Sequence, residues 1–135
     1  MKTESSQRLW TVYKSKRATV GKNTRSARRW LPMNSRATNK YTDANVLVYG
    51  VNVFVPTGKR LYYRNYGIEV SDDQYALSTM VQWIWRSAIR KGEEIWIYIP
   101  SRRMRELLKQ WLNDLATKWQ QHILLEEREV VVDAS

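Results

Sequence analysis

The chain has no cysteine, which excludes disulfides, zinc knuckles and thiol nucleophiles together. It has one histidine, His122, so a histidine-rich metal site is excluded and a histidine-dependent triad would hang on that residue alone. His122 follows Gln120 and Gln121 after a helical segment and reads as a surface side chain. No apolar run approaches the roughly 18–20 residues that a membrane span needs. The first residues, MKTESSQRLW, lack the apolar stretch of a secretory signal. The expectation is a soluble, cytoplasmic protein with no membrane partner.

A nucleotide engine is also missing. A phosphate loop ends in Gly-Lys-Ser/Thr, so that backbone amides cradle the phosphates. The Gly-Lys pairs worth checking lie in TVGKNT (19–24) and VPTGKR (55–60). Neither has the earlier glycine at the required distance, and neither has Ser or Thr directly after the lysine. No acidic pair follows an apolar strand to hold magnesium. Asp72–Asp73 falls in a helix first turn, where acids suit the dipole, and Glu93–Glu94 follows a helix stop. Clustered carboxylates for metal-dependent cleavage are absent. The chain is therefore expected not to be an enzyme and to use no cofactor.

Acid is nearly missing from the N-terminal third. Residues 1–42 hold eleven lysines and arginines against Glu4 alone, while residues 43–135 hold twelve of each sign. The entire formal net charge of +10 thus sits on the first 42 residues. Such asymmetry points to a polyanionic partner. A solubilising tail would carry the same charge, but this segment interleaves its cations with Trp10, Tyr13, Trp30 and Tyr41. Aromatics among arginines and lysines offer bases a stacking surface while the cations hold phosphates. Nucleic acid, DNA or RNA, is the expected partner, with Arg25, Arg28, Arg29, Trp30 and Arg36 as contacts. Tyr62, Tyr63 and Tyr66 alternate with Arg60 and Arg64, a pattern that suits base stacking and equally a groove for another protein. The tryptophan and tyrosine content also makes self-association an expectation.

Local patterns divide the chain into a basic, irregular, partly disordered arm (1–42) and an α/β or α+β domain (43–135). The arm has Gly21, Pro32 and many small polar residues, with a short strand read at Leu9–Tyr13. In 43–55, the valines of NVLVYGVNVFV lean towards a strand, whereas Thr42 and Asp43 suit a helix start. Pro56 and Gly58 then interrupt this segment. Ser71 and Gln74 form a capping box for a helix over 71–91, whose apolar stripe is Leu77, Met80, Val81, Ile84 and Ala88, closed by Gly92. Glu94–Ile99 alternates Ile95, Ile97 and Ile99 against Trp96 and Tyr98, a strand closed by Pro100. Ser101 caps a helix ending near Lys118, and Val130–Val132 reads as a final strand.

On the 71–91 helix, Gln82, Arg86 and Arg90 recur every four residues opposite the apolar stripe. Such a stripe is either a solvated face or an anion site. Arg102, Arg103 and Arg105 open the next helix, where cations oppose the dipole by roughly 0.3–1 kcal/mol each. A bound anion would offset that cost.

Residues 34–43, the Pro56 segment and residues 72–112 resemble the C-terminal part of superfamily 2 helicase-like ATPases of phages and mobile elements, over about residues 30–115. Gln82, Arg86, Arg90 and Gly92 are similar to helicase motif VI, with one residue more between the arginines than the family pattern. RATN (36–39) stands where motif V would be expected. The resemblance implies part of a RecA-like domain and favours a helix over 43–55, and a helix is the expectation there. It further implies that Arg86 or Arg90 would reach a γ-phosphate and that Gln82 would sense nucleotide. Arg36, Thr38 and Asn39 would touch the nucleic-acid backbone. Two roles follow: a detached helicase tail that binds nucleic acid and docks on a separate ATPase subunit, or a phage protein that blocks a host enzyme such as a defence nuclease.

Overall fold

A computed structural model of the chain describes residues 7–21, 29–35 and 38–133. Strand β1 (Arg8–Thr11) leads through a 3-10 turn at Lys14–Lys16 into the short helix α1 (Arg17–Gly21). Strand β2 (Val46–Tyr49), helices α2 (Thr57–Asn65) and α3 (Asp72–Ile84), a 3-10 turn at Ala88–Lys91, strand β3 (Trp96–Tyr98) and helix α4 (Arg102–Asp133) come after it. The strands form one parallel sheet in the order β1-β2-β3. Leu9 pairs with Leu47 and Leu47 with Ile97, so β2 fixes the register of both neighbours.

The fold is therefore mixed α/β, with a parallel sheet where sequence left α/β and α+β open. Other expectations are corrected. Residues 46–49 are the central strand, not a helix, because β-branched valine prefers a pleated, half-buried surface. The pattern continues beyond the strand: Leu47, Tyr49, Val51, Val53 and Val55 are all buried at a period of two. Arg8–Thr11 is a strand of the sheet, and Leu9, Leu31 and Tyr41 belong to the core. Among the described residues, these parts of the N-terminal segment contribute directly to the packed core. The helix expected over 71–91 ends at Ile84, because Ser87 is extended and its hydroxyl donates to the Ile84 carbonyl at 2.6 Å. Gly92, with φ of 75°, closes the 3-10 turn in the left-handed region that a side chain would strain. Helix α4 runs through Lys118 and through 130–132, where a strand was expected.

Residues of one parity on the sheet meet α3 and α4. Leu9, Leu47 and Tyr49 pack with Ala76, Met80, Trp83, Ile84, Ile99 and Met104. Each large apolar side chain buried this way contributes about 1.5–3 kcal/mol. Trp83 is the largest buried side chain: its ring meets Tyr49 edge-on at 5.2 Å, and its indole N–H donates to the Leu31 carbonyl at 3.1 Å. The Tyr49 hydroxyl and Thr11 Oγ1 are buried without a hydrogen-bond partner. Burial pushes the Tyr49 phenol far above its usual range, so it stays neutral.

The carboxyl ends of the strands are bolted by polar contacts. The Ser71 hydroxyl accepts the Gln74 backbone N–H at 3.3 Å, the serine half of the expected capping box. Asp72 accepts the Val55 backbone N–H at 2.8 Å and pairs with Arg60 at 2.5 Å. Arg103 donates to Asp73 at 3.0 Å, to the Asn52 side chain at 2.9 Å and to the Val53 carbonyl at 2.6 Å. Its guanidinium lies 4.4 Å from the Phe54 ring centre. These charge-assisted bonds join α2, α3 and α4 to the segment leaving β2. Close by, the Gly50 amide donates to the Thr11 carbonyl at 2.8 Å. A Cβ on Gly50 would stand 2.9 Å from Val12 Cγ1 and 3.1 Å from that carbonyl.

This packing has two testable outcomes. Gly50→Ala should destabilise the fold by about 1–3 kcal/mol through overpacking, measured by urea denaturation. Adding Val12→Ala should recover only part of the loss, since the carbonyl contact remains. The backbone N–H of Val55, then Arg60, holds the Asp72 carboxyl below its usual range. Its stabilising contribution is present above the unfolded value of about 3.9 and is lost as pH falls through the lower folded value. In thermal melts across that acidic window, Asp72→Asn should therefore show a shallower loss of stability than the native chain.

Candidate nucleic-acid interface

Strand residues of the opposite parity, Arg8, Trp10, Val46, Val48, Trp96 and Tyr98, form the second face of the sheet. Among the described residues no helix covers it over β3: Trp96 is 57 % and Tyr98 64 % exposed. They stand two residues apart on one strand, hence about 6.6 Å apart along it. Parallel sheets ordinarily bury both faces, so an exposed aromatic pair here is a departure from the usual arrangement. Towards β1 the same face deepens into a cleft of about 230 Å³, lined by Arg8, Trp10, Val12, Val20, Val46 and Val48. Helix α1 forms its rim through Val20.

Cations gather at that rim. Lys14, Lys16 and Arg17 are exposed in the turn entering α1. The Arg17 guanidinium stacks 4.3 Å from the Trp30 ring centre, and the Trp30 indole N–H donates to the Val12 carbonyl at 3.4 Å. Trp30 itself bridges to Trp10 beside β1. An aromatic platform with an adjoining basic rim can stack planar rings and hold phosphates with the same surface.

The residues singled out from sequence lie elsewhere or are engaged internally. Gln82, Arg86 and Arg90 do not form one helical stripe, since α3 stops at Ile84. The Gln82 amide donates to Ser78 at 3.2 Å. Arg86 donates to the Ser35 hydroxyl at 3.1 Å and to the Ser35 carbonyl, and Arg90 donates to Asn39. Burial pushes the Arg86 guanidinium below its usual value. These contacts bring Ser35 against Arg86 and Asn39 against Arg90. They lie at the amino end of the sheet, where Ala88 bonds Ala44 and Trp96 bonds Asn45. Ligands of open α/β sheets ordinarily bind beyond the carboxyl ends.

At the start of α4, Arg105 donates to the carbonyls of Ile99 at 2.8 Å and Pro100 at 3.0 Å, and Arg103 is committed to Asp73, Asn52 and Val53. Carbonyl oxygens and Asp73 thus supply the compensation expected from a bound anion; Arg102 remains exposed. Arg60 is paired with Asp72. Arg29 pairs with Asp43 at 3.0 Å, donates to the Arg8 carbonyl at 3.1 Å and stacks on Tyr41. The Thr38 hydroxyl accepts the Lys40 backbone N–H at 3.3 Å. Tyr63 and Arg64 are exposed on α2, Tyr63 edge-on to Tyr62. Arg25, Arg28 and Arg36 lie outside the described residues.

Trp96, Tyr98 and the cations before α1 were not singled out. The signal was available in the alternation of Trp96 and Tyr98 against Ile95, Ile97 and Ile99. Reading it as a site requires knowing that no helix among the described residues covers the outward parity. No helix among the described residues is long and apolar enough to cross a membrane.

Comparison with known proteins places this geometry in a family. Residues 1–112 match the model of the YonV C-terminal Rossmann-like domain. The chain is 45 % identical over 115 residues to the SPbeta prophage-derived uncharacterized protein YonV of Bacillus subtilis (strain 168). That match takes in 84 % of this chain and 28 % of the prophage protein, so the chain spans under a third of its relative's length. No solved structure matches the chain. A parallel three-stranded sheet with crossover helices is a Rossmann-like architecture, and the chain belongs to the YonV C-terminal Rossmann-like domain family.

Proposed function

We propose that this domain binds single-stranded nucleic acid across the uncovered face of its sheet. The observation that carries the reading is the side-by-side exposure of Trp96 and Tyr98 on that face. Bases of either DNA or RNA stack on the two rings, while Arg17, Lys14 and Lys16 hold the backbone running towards α1. A duplex keeps its bases stacked on one another and offers nothing to a flat aromatic pair, which favours single strands. The domain supplies binding and no nucleotide hydrolysis of its own.

The helicase-tail reading remains a finer proposal, supported by the contact of Ser35 and Asn39 with Arg86 and Arg90. On that reading these arginines hold the 35–39 segment in place. They turn towards a separate ATPase subunit only if their internal bonds open.

A second reading is favoured by α2, which has no buried residue and clusters Tyr62, Tyr63 and Tyr66 beside Arg64. On this reading the chain, which is similar to a prophage-derived protein, serves a phage or mobile element and docks through α2 on a host nucleic-acid enzyme. It requires a stoichiometric protein complex that survives nuclease treatment.

Fluorescence anisotropy with a labelled oligonucleotide tests the first reading. Each stacked base is worth about 1–3 kcal/mol, so Trp96→Ala with Tyr98→Ala should weaken binding at least roughly tenfold, with an unchanged circular dichroism spectrum. Affinity should fall with added salt as counterions are released. Tyr62→Ala with Tyr66→Ala should leave affinity near the native value. Loss through the α2 pair rather than the β3 pair, or no binding at low salt, overturns the proposal.

A further inference from the structure

Helix α4 is longer than the body it packs against. Its first turns enter the core through Met104, with Leu107 and Leu108 partly buried. Beyond them the apolar side chains lose their cover: Leu112 is 50 %, Trp119 64 % and Ile123 50 % exposed. Leu108, Leu112, Leu115 and Trp119 nevertheless keep the alternating four- and three-residue spacing of a helix-pairing seam. Where this seam leaves the body it opens into an apolar groove of about 400 Å³ between α3, β3 and α4. Val81, Trp85, Ile89 and Ile95 form its far wall, and Leu112 and Leu115 belong to groove and seam alike.

We propose that the occupant of this groove and seam is α4 of a second copy of the chain, running antiparallel about a two-fold axis between Leu115 and Ala116. About that point Leu108 stands opposite Ile123 of the second copy and Leu112 opposite its Trp119, with Leu115 beside its Ala116. Each bulky projecting indole then meets the groove that the other copy leaves open, which is the reciprocal contact of an isologous dimer. Charge selects both the occupant and its direction. Residues 102–110 hold four basic side chains and one acid, whereas the sequence of 126–133 holds four acids and one arginine. An antiparallel pair sets segments of opposite sign together, and a parallel pair sets like against like.

Sedimentation equilibrium of the full chain tests this, with the monomer at 16.1 kDa. A dimer is expected, and Trp119→Glu should weaken it at least tenfold while the far-ultraviolet spectrum of the body is retained. Because the chain has no cysteine, direction can be read from single substitutions under mild oxidation. Ala116→Cys, beside the axis, should form a disulfide-linked dimer. Ile123→Cys should not, as the two copies of that residue lie about 22 Å apart along antiparallel helices. A chain that is monomeric at its highest soluble concentration overturns the proposal. So does a dimer indifferent to Trp119→Glu, or self-linkage of Ile123→Cys. The outcome is independent of oligonucleotide binding.

Discussion

The register of β2 between its two parallel neighbours is the constraint on which the rest depends. Leu47 and Tyr49 face α3 and α4, while Val46 and Val48 face the open cleft. A slip of one residue would exchange these sets, placing the buried tyrosine and leucine in water and the cleft valines against Trp83. The slip is prevented on both sides by paired backbone hydrogen bonds, and at the carboxyl end by the tight passage of Gly50 past Thr11. The exposed aromatic pair on β3 inherits its orientation from this register, since Val46 pairs with Trp96 and Val48 with Tyr98.

Legibility followed how local each determinant is. The start of α3 was readable because Ser71 and Gln74 meet within one turn. The strand at the centre was also written locally, in alternating valines, and was lost only when a helix implied by family resemblance displaced what the residues favoured. The end of α3 was not readable: glycine at position 92 is a plausible stop, but the helix breaks at Ser87 through a hydroxyl bond to Ile84 that competes with the helical ladder. Least legible was the fate of the arginines. Whether a guanidinium meets solvent or a carbonyl depends on chain segments some fifty positions away, as with Arg86 and Ser35 or Arg103 and Val53. No spacing rule carries that information.

This division changes how the positive charge is to be understood. Many of the arginines that look like ligand-binding residues are fasteners, joining helix ends to backbone oxygens and to Asp43, Asp72 and Asp73. Positive potential still radiates from the body, since an internal bond to a neutral carbonyl leaves the charge in place. Pairing with aspartate does not. On the proposed reading, long-range attraction of a polyanion and short-range contact with it would come from different residues, the first from the whole basic surface and the second from the few cations around Trp30 and α1.

The brevity of β3 has its own consequence. It offers three residues to the sheet and is followed within two by Pro100, whose ring nitrogen carries no hydrogen to donate. A strand so short gives little template for a fourth neighbour. The outer border of the sheet is thereby blunted against stacking into fibrils, even though large rings lie bare beside it. Any polymer recruited to this side must lie over the pleat rather than extend it.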